Sequence, residues 1–428
     1  MIDVKLILEK PDYVKAALKK KNWDFDPTMI QKLSEERLTL LKETEAIKAE
    51  QNKLSKSVPQ VKKEGGDVKA IFAKVKELGA KNKENETKLA EVEANLRREL
   101  EVLPNLPDDD LVAGGKENNH PIYHSKAQEP KFEGFTPKNH VDLCESLGLI
   151  DYKRAAKISG TGTWIYTNLG ARLEWALINY FINTHIQDGY EMILPPHILN
   201  YESGYTAGQF PKFQDEVFWL EGMEPRKFIL PTAETALVNL HRNEILSVDD
   251  LPRKYFAYTP CYRKEAGSYR TEERGMIRGY QFNKVEMVQY TEDDKSDAAF
   301  EEMVHKAMAL VDGLGLCYQV DKLAAADCSH SMARTYDIEV WIPSMHIYKE
   351  VSSVSNARDY QARRGMIRYK DKNGVMHFCH TLNGSGLATS RVFPAIVEQF
   401  QQADGSVVIP EVLRPYMGGI SVLKPIKK

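Results

Sequence analysis

The sequence predicts an α+β protein in which a helical coiled-coil hairpin precedes a domain with antiparallel strands. Two observations support this prediction. Residues 28–58 and 68–100 carry apolar residues at heptad spacing and are separated by a short segment containing proline and a glycine pair. Residues 254–262 and 279–290 are rich in aromatic and β-branched residues and flank a polar segment with glycines. That pattern is typical of two antiparallel strands joined by a long loop.

Length and composition narrow the class of protein. The chain has 428 residues, enough for two or three domains, and is 42% hydrophobic and 28% charged, as expected of a globular protein with a large core. Its net charge of -3 does not indicate a nucleic-acid partner, so any basic surface must be local. The five cysteines form no C-x-x-C pair, which argues against zinc and disulfides and favours a reducing cytoplasm. No apolar run has the length of a signal peptide or a membrane span, so we expect a cytoplasmic chain without a membrane partner.

Residues 1–110 are expected to form a helical arm. Pro11 can open a short helix, because a missing N–H is tolerated in the first turn. In the next two helices Leu33, Leu40, Ile47 and Leu54 recur every seven residues, as do Ile71, Leu78 and Val92, and Pro59 and Gly65-Gly66 are expected to separate the helices. Asn82 and Asn85 are polar exceptions in this pattern. Two such helices joined by a short turn make an antiparallel coiled-coil hairpin.

The arm has two interpretations. Oligomerisation is the usual role of a coiled coil. The alternative is a reach toward a large partner, which is supported by lysines near the expected tip, namely Lys53, Lys56, Lys62, Lys63 and Lys69. Clustered lysines can contact phosphate groups. The heptads alone do not decide between these interpretations.

The segment around the two predicted strands carries charges suited to binding an anion. Arg263 and Glu265 are two residues apart, so on a strand they would face the same side, and Arg278 and Phe282 would likewise share one side of the returning strand. A guanidinium is planar and permanently charged, which suits a phosphate or carboxylate, and a phenyl ring can stack on a flat base. A surface hairpin with solvated ion pairs would explain the same residues.

Two further segments have the residue types of a polar pocket. Thr232 and Glu234 read as a helix start, with the threonine as N-cap and the acid in the first turn. Glu350 and Ser353 follow a segment that alternates as a strand does. A carboxylate and a hydroxyl, together with phosphate oxygens, suit octahedral Mg²⁺, although acids at strand ends are usually only solvated.

A glycine-rich segment near the C-terminus completes the set. NGSG at 383–386 would let the backbone approach a ligand closely. A helix from about Ala388 carries Arg391 near its start, where a cation opposes the helix dipole unless an anion compensates it. The alternative is a glycine-rich turn that caps a buried helix.

Taken together, these segments resemble the class II aminoacyl-tRNA synthetases, and the bacterial-type seryl-tRNA synthetase family in particular. The matching words are EAGS at 265–268, QFNKVE at 281–286, EVSS at 350–353, NGSGLA at 383–388 and ADGSVVIPEVLRPYMGG at 403–419. The resemblance covers essentially the whole chain. It implies a catalytic domain at 111–428, with motif 1 at about 170–196, motif 2 at about 255–290 and motif 3 at about 380–401.

The resemblance implies a fold and a reaction. The fold would be a class II antiparallel sheet flanked by helices, in a homodimer, with the arm embracing serine tRNA. The enzyme would be a serine–tRNA ligase that activates L-serine with ATP and Mg²⁺ to seryl-adenylate and then transfers serine to the 3′ end of the tRNA. Charging of selenocysteine tRNA is left open.

The resemblance also implies residue roles. Arg263 and Arg391 would be catalytic, and Glu350 and Ser353 would hold Mg²⁺ with ATP. The ATP set would be Arg263, Lys264, Glu265, Phe282, Glu350, Val351, Ser352, Ser353 and Arg391. The serine set would be Thr232, Ala233, Glu234, Glu286, Asn383 and Ser385. The five lysines of the arm would contact tRNA.

The chain departs from the family pattern in several places. Among them, the loop reads SYRTEERG at 268–275, Gly279-Tyr280 replaces a usual Val-His, and Thr389-Ser390 replaces a usual Val-Gly. The altered motif 2 loop motivates one rival, a paralogue that activates serine or a related amino acid for an acceptor other than tRNA, such as a carrier protein. The other rival, a non-catalytic coiled-coil interaction protein, does not account for the full set of charged residues.

Overall fold

The computed structural model describes residues 1–265 and 275–426, which fall into two compact units. The helical unit comprises Ile2–Ala16 and Asp24–Leu103, and the sheet unit comprises Met1, Ala17–Trp23 and the chain from Pro104 onward. The predicted hairpin loop with Gly267, Ser268 and Thr271, including most of the divergent SYRTEERG word, lies outside the described residues. None of the described helices is long and apolar enough to cross a membrane.

The N-terminal part of the chain is helical, as predicted. Its helices are α1 (Val4–Glu9), α2 (Pro11–Lys20), α3 (Thr28–Lys63) and α4 (Val68–Glu101). The long pair α3 and α4 packs together as a hairpin. The expected break at Pro59 is wrong, because α3 continues through this proline to Lys63 and the turn lies after it. Pro59 removes one i→i−4 hydrogen bond and crowds the turn before it, so it weakens α3 at this point without ending the helix.

The heptad positions form the contact between α3 and α4. The buried apolar residues of the two helices include Leu33, Leu40 and Ile47 on α3 and Leu78, Val92 and Leu96 on α4. The polar exception Asn85 is also buried, and its Nδ2 donates to Oε2 of Glu43 at 3.1 Å. A buried asparagine with a partner favours one register of the two helices at some cost in stability.

We expect Asp67→Ala to loosen the start of α4 by about 1 kcal/mol, because the Asp67 side chain caps that helix by accepting from the backbone N–H groups of Lys69 and Ala70 at 2.9 and 3.2 Å. Hydrogen exchange read by mass spectrometry should then accelerate about fivefold at residues 68–72. Glu91→Ala, an exposed change on the same helix, is the control. Unchanged exchange at 68–72 would contradict the capping role.

The sheet unit contains the strands and the remaining helices. The strands are β1 (His120–His124), β2 (Glu191–Met192), β3 (Ile198–Asn200), β4 (Trp219–Leu220), β5 (Lys227–Ile229), β6 (Ile245–Ser247), β7 (Arg253–Tyr262), β8 (Gln281–Thr291), β9 (Tyr318–Lys322), β10 (Arg334–Ile342), β11 (Ile347–Asn356), β12 (Arg368–Lys370), β13 (Met376–Phe378), β14 (His380–Ala388), β15 (Val407–Val408) and β16 (Val422–Leu423). The helices are α5 (His140–Ser146), α6 (Tyr152–Ser159), α7 (Asn168–Gln187), α8 (Tyr201–Thr206), α9 (Glu234–Leu237), α10 (Ser296–Leu314), α11 (Tyr360–Gly365) and α12 (Thr389–Gln399).

The main sheet has the order β1-β9-β10-β11-β14-β8-β7-β2 among the described strands. All neighbours are antiparallel except β2, which pairs parallel with β7. The predicted antiparallel sheet is therefore confirmed, and the edge strand makes it mixed. The predicted strand pair 254–262 and 279–290 corresponds to β7 and β8, which pair antiparallel.

Both faces of the central strands are covered, because their side chains alternate between two cores. Phe256, Val285 and Met287 lie in the core formed with α5, α7, α10 and α12. Tyr255 and Val288 lie in the other core, with residues of β3, β5, α9 and α11. Even-numbered residues of β8 therefore face one side of the sheet and odd-numbered residues face the helices α7 and α12.

Candidate active site

Two adjoining cavities lie along the even-numbered face of β8. The main cavity has a volume of about 350 Å³ and is lined by residues that include Thr232, Glu234, Lys284, Glu286 and Ser385. The side cavity, of about 80 Å³, is lined by residues that include Glu265, Phe282 and Arg391. Arg263, Lys284, Glu350 and Ser385 line both cavities. Most side chains of the predicted set are thus brought together in one place.

Glu286 lines the main cavity and contacts three other residues of its lining. Its side chain is 1% exposed, and its Oε2 lies 2.5 Å from Nζ of Lys284. Asn383 Nδ2 donates to Oε1 at 3.2 Å, and Ser385 Oγ donates to Oε2 at 3.2 Å. The sheet explains this geometry, because Ser385 of β14 lies directly opposite Glu286 of β8. The alternative interpretation of 383–386 as a glycine-rich turn is wrong, since these residues belong to β14.

Thr232 and Glu234 line the wall next to this carboxylate. Thr232 Oγ1 accepts from Nζ of Lys284 at 2.8 Å and from the backbone N–H of Glu234 at 3.3 Å. The predicted N-cap is displaced by one position, because α9 begins at Glu234 and Ala233 is its N-cap residue. Ala233 itself is buried in the core below.

Glu234 faces a second like charge. Burial raises its pKa to about 7, and the nearby charge of Glu286 acts in the same direction. Gln361 Nε2 donates to Oε1 of Glu234 at 2.8 Å and partly opposes the rise. The cavity therefore holds two carboxyl groups close together, an arrangement that favours a bound cation.

Arg263 joins the two cavities. Strand β7 ends at Tyr262, so the strand periodicity predicted for Arg263 and Glu265 does not apply, and Glu265 has a φ of 50°. Arg263 is held differently: its backbone N–H donates to the carbonyl of Tyr280 at 3.0 Å, and its Nε donates to the carbonyl of Pro231 at 3.3 Å. The guanidinium carbon lies 5.1 Å from the centre of the Phe282 ring.

The side cavity also contains an ion pair between Arg278 and Glu265, in which Nε of Arg278 contacts the Glu265 carboxylate. Arg278 precedes β8, so the prediction that it shares a strand face with Phe282 is wrong. Arg263 and Arg278 both line this small cavity. The neighbouring residue Lys264 is held through its backbone, whose N–H donates to the carbonyl of Glu216 at 3.0 Å.

A bulge in β11 aims Glu350 and Ser353 at the main cavity. Opposite β10 the register shifts, because Ile338 pairs with Ser352 while the next residue, Glu339, pairs with Glu350. The extra residue, Val351, changes the alternation so that residues 350 and 353 face the same side. Both line the main cavity, together with Ser355.

Val351 and Ser352 point elsewhere. Val351 is buried in the core, and Ser352 Oγ donates to the carbonyl of Ser385 at 2.6 Å. Any contact of these two residues with a ligand would thus come from their backbone.

Arg391 lies in the first turn of α12, as predicted. Its Nη1 donates to the carbonyl of Glu350 at 2.9 Å and lies 3.3 Å from Oε2 of the same residue. The Glu350 side chain is 42% exposed, so this ion pair is partly solvated. A carboxylate therefore compensates the cation at the helix start in this structure, and an incoming anion could compete for it.

Sequence reasoning missed several residues of the site. Ser329, Ser331 and Met332 form a wall of the main cavity without any recognisable motif. Lys21 and Asn105, distant in sequence, hold this wall: Lys21 Nζ donates to the carbonyl of Met332 at 2.6 Å, and Asn105 Nδ2 donates to that of Ser331 at 2.9 Å. No local pattern could have predicted these contacts.

Sequence reasoning also did not single out Asp337, which lies on β10 opposite the cavity residue Ser353. Burial and the charge of Glu350 raise the pKa of Asp337 well above the usual range. Among the described residues no group of three or more acidic, histidine or cysteine side chains is arranged to hold a metal ion.

Gly279 has a steric reason to depart from the family pattern. A Cβ atom at this position would lie 2.3 Å from the Trp164 ring and 2.7 Å from the carbonyl oxygen of Gly162. Only glycine allows this close approach.

The five predicted tRNA-binding lysines lie outside these cavities, in the helical unit. Lys53, Lys56, Lys62 and Lys63 are on the last turns of α3, and Lys69 is at the start of α4. All five are exposed.

We expect Lys284→Met to destabilise the protein by roughly 3–5 kcal/mol, because it leaves the buried Glu286 carboxylate without its cation. Urea unfolding measures this change. The double variant Lys284→Met/Glu286→Gln, which removes both charges, should recover most of the loss. Equal stability of the Lys284 single variant and the native chain would contradict a buried ion pair.

Comparisons with known proteins agree with this geometry. Residues 1–107 match the model of the seryl-tRNA synthetase N-terminal domain, and residues 218–400 match that of the class II tRNA synthetase core domain of types G, H, P, S and T. Serine–tRNA ligase 2 of Clostridium acetobutylicum is 59% identical over 98% of this chain and 99% of its own, and the ligase of Clostridium tetani is 42% identical over 99% and 100%. The crystal structure of seryl-tRNA synthetase from Pyrococcus horikoshii complexed with ATP is 33% identical and superposes with a TM-score of 0.91 over both whole chains. The chain therefore belongs to the seryl-tRNA synthetase family and has the class II synthetase fold with a helical N-terminal arm.

Proposed function

We propose that this enzyme is a serine–tRNA ligase that forms seryl-adenylate from L-serine and ATP and then transfers serine to the 3′ end of serine tRNA. The observation that carries the proposal is the Glu286 carboxylate, which accepts from Ser385 at the bottom of a small polar cavity. The cavity opens beside two arginines, Arg263 and Arg391, that are able to bind phosphate. The relatives are themselves named serine–tRNA ligases.

The main cavity would bind serine through its polar groups. The ammonium group would lie between Glu234 and Thr232, and Glu286 with Ser385 would bind the side-chain hydroxyl, with Asn383 orienting the Glu286 carboxylate. A site that pairs a buried hydroxyl rejects an analogue lacking it by roughly 10⁴-fold, because its own polar groups would be left unpaired. Alanine would be rejected in this way.

The side cavity would bind ATP. Phe282 would stack on the adenine, and Glu265 would accept from its amino group. Arg263 would neutralise the charge that develops on the α-phosphate, and Arg391 would hold the distal phosphates. Lys264, Val351 and Ser352 would contribute backbone groups. The relative from Pyrococcus horikoshii was crystallised with ATP.

Glu350 and Ser353 fit a magnesium ion that arrives with ATP. Both face the cavity, and a half-exposed carboxylate and a hydroxyl are hard oxygen ligands of the kind Mg²⁺ prefers. Few protein ligands are needed, since Mg²⁺ at such sites keeps waters and binds substrate phosphates. When bound, the ion supplies positive charge to the phosphate oxygens.

The reaction needs no protein nucleophile. A serine carboxylate oxygen attacks the α-phosphorus, the bond to the bridging oxygen breaks, and pyrophosphate leaves. In the second step a ribose hydroxyl at the tRNA 3′ end attacks the serine carbonyl carbon, and AMP leaves. Arg263 and the surrounding groups would act by placing the reactants and by stabilising the charge that develops on the phosphate.

We also propose a homodimer in the cytoplasm and tRNA contacts through the arm. Trp175 and Ile186 on α7 and Leu194 beyond it are exposed apolar residues within the motif 1 region, which a second copy would cover. The exposed lysines near the end of the arm would contact the tRNA phosphates. Selenocysteine tRNA remains a second candidate substrate.

The decisive test is charging of total tRNA with labelled serine, ATP and Mg²⁺. Serine-specific charging is the expected result. A folded protein that forms seryl-adenylate but charges no tRNA would instead support the paralogue, which uses another acceptor.

We expect Arg263→Ala to slow serine-dependent pyrophosphate exchange by on the order of 10³-fold, because the charge on the α-phosphate would no longer be neutralised. Arg154→Ala, at a side chain that is 77% exposed, is the matched control and should retain full exchange. Near-native exchange in the Arg263 variant would overturn its assignment.

The KM for serine should depend on pH through Glu234. The pKa of this carboxyl is raised to about 7, so it loses its charge, and its attraction for the ammonium group, as pH falls through that value. We expect the KM for serine to be about tenfold higher at pH 6 than at pH 8, and Glu234→Gln to show a high KM without this dependence. The KM for ATP is the internal control. A pH-independent serine KM in the native enzyme would contradict this role.

A further inference from the structure

Glu174 is a buried carboxyl group that the proposed mechanism does not use. It lies on α7, and the residue is 3% exposed. Its Oε1 accepts two hydrogen bonds, from Nδ2 of Asn283 at 2.8 Å and from Oγ1 of Thr389 at 2.5 Å. Burying a carboxyl group costs free energy, even when it accepts hydrogen bonds from two other elements of the fold. We therefore asked what Glu174 contributes that an apolar residue at this position could not.

The two donors belong to the segments that line the side cavity. Asn283 follows Phe282 on β8, and alternation puts these two side chains on opposite faces of the sheet. Thr389 is the first residue of α12, two positions before Arg391. Glu174 thus contacts the reverse side of the two segments that present the proposed adenine-stacking ring and the proposed phosphate-binding arginine.

Further contacts connect the same segments. Thr389 Oγ1 also lies 3.2 Å from the carbonyl oxygen of Asn283, and the Tyr258 hydroxyl donates to Oδ1 of Asn283 at 3.1 Å. The amide of Asn283 is therefore held from both ends, by β7 and by α7. These contacts leave Asn283 and Thr389 little freedom to shift along each other.

The sequence departure at 389 is part of this arrangement. Where the family pattern has a valine, this chain has Thr389, whose hydroxyl supplies one of the two bonds to Glu174. A valine has the same shape but cannot donate. The hydroxyl therefore adds a polar contact between α7 and α12 that the family pattern would lack.

We propose that Glu174 is a positioning residue for ATP, which sets the spacing between Phe282 and Arg391 without touching the substrate. This proposal rests on one part of the proposed function, namely that ATP binds in the side cavity. The role requires an acceptor oxygen rather than a negative charge. Burial raises the pKa of Glu174 to about 7, so a neutral side chain is compatible with the site.

A purely structural role makes a different prediction. If Glu174 only stabilised the core, its loss would lower the melting temperature and affect both substrates alike. As a positioning residue it should affect ATP and spare serine, because the serine-side residues Glu286 and Ser385 are fixed by contacts between β8 and β14. Displacements near 1 Å can cost up to about 10²-fold at such sites.

The test measures ATP·Mg²⁺ binding by calorimetry in the absence of amino acid, followed by the KM for ATP and for serine in pyrophosphate exchange. Glu174→Ala is expected to weaken ATP binding about tenfold and to change the KM for serine less than twofold. Glu174→Gln, which keeps the acceptor oxygen, should restore ATP binding to within about threefold of the native value.

Thr389→Val covers the case in which Glu174→Ala does not fold. It should weaken ATP binding about threefold, and in a folded double variant it should add nothing to Glu174→Ala, because both changes remove the same contact. Unchanged ATP binding in the folded variants, or equal losses for ATP and serine, would overturn the proposal. A native enzyme that binds ATP normally but charges no tRNA would refute the proposed function and leave this inference standing.

Discussion

The geometry of the candidate active site depends on a buried ion pair within one strand, between Lys284 and Glu286 of β8. Two residues apart on the same face, these side chains reach each other only because β8 is continuous and paired on both sides. The pair gives the buried Glu286 carboxylate a cationic partner at 2.5 Å, and a buried carboxylate left without one would cost several kcal/mol. It also leaves the carboxylate able to accept from Ser385, so that a second hydroxyl, carried by a ligand, meets an acceptor already oriented.

The two faces of strand β8 carry different groups. Its even-numbered face presents Phe282, Lys284 and Glu286 to the cavities, and its odd-numbered face presents Asn283 to the carboxyl group of Glu174. The cavity side chains of β8 thus lie on a rigid strand, which helices rather than loops support from the other face. A reaction that depends on placing its substrates, and not on a covalent intermediate with the protein, requires such rigid support.

Much of this could be predicted from the sequence, and the failures have physical reasons. The heptad repeats predicted α3 and α4, because a coiled coil is a local sequence pattern. The short sequence motifs on β8, β11 and β14 predicted most of the cavity residues. Strand periodicity failed for Arg263, which lies beyond the end of β7, and it could not foresee the bulge at Val351 that turns Ser353 toward the cavity. The wall at Ser331 is held by Asn105, a contact across 226 residues that no local pattern encodes.

The two cavities are lined by opposite excesses of charge. The described lining of the main cavity has four acidic side chains (Glu216, Glu234, Glu286 and Glu350) and two cationic ones (Arg263 and Lys284), an excess of two carboxyl groups that suits an ammonium group. The described lining of the side cavity has four cationic side chains (Arg263, Arg278, Lys284 and Arg391) and two acidic ones (Glu265 and Glu350), an excess of two cations that suits phosphate. Under the proposed function an amino acid and a nucleotide would bind at opposite ends of the same site, and Arg263, which lines both cavities, would lie between the carboxylate of one and the phosphate of the other. The ion pair of Arg391 with Glu350 would then be exchanged for contacts with phosphate, and breaking this partly solvated pair costs only about 0–1 kcal/mol.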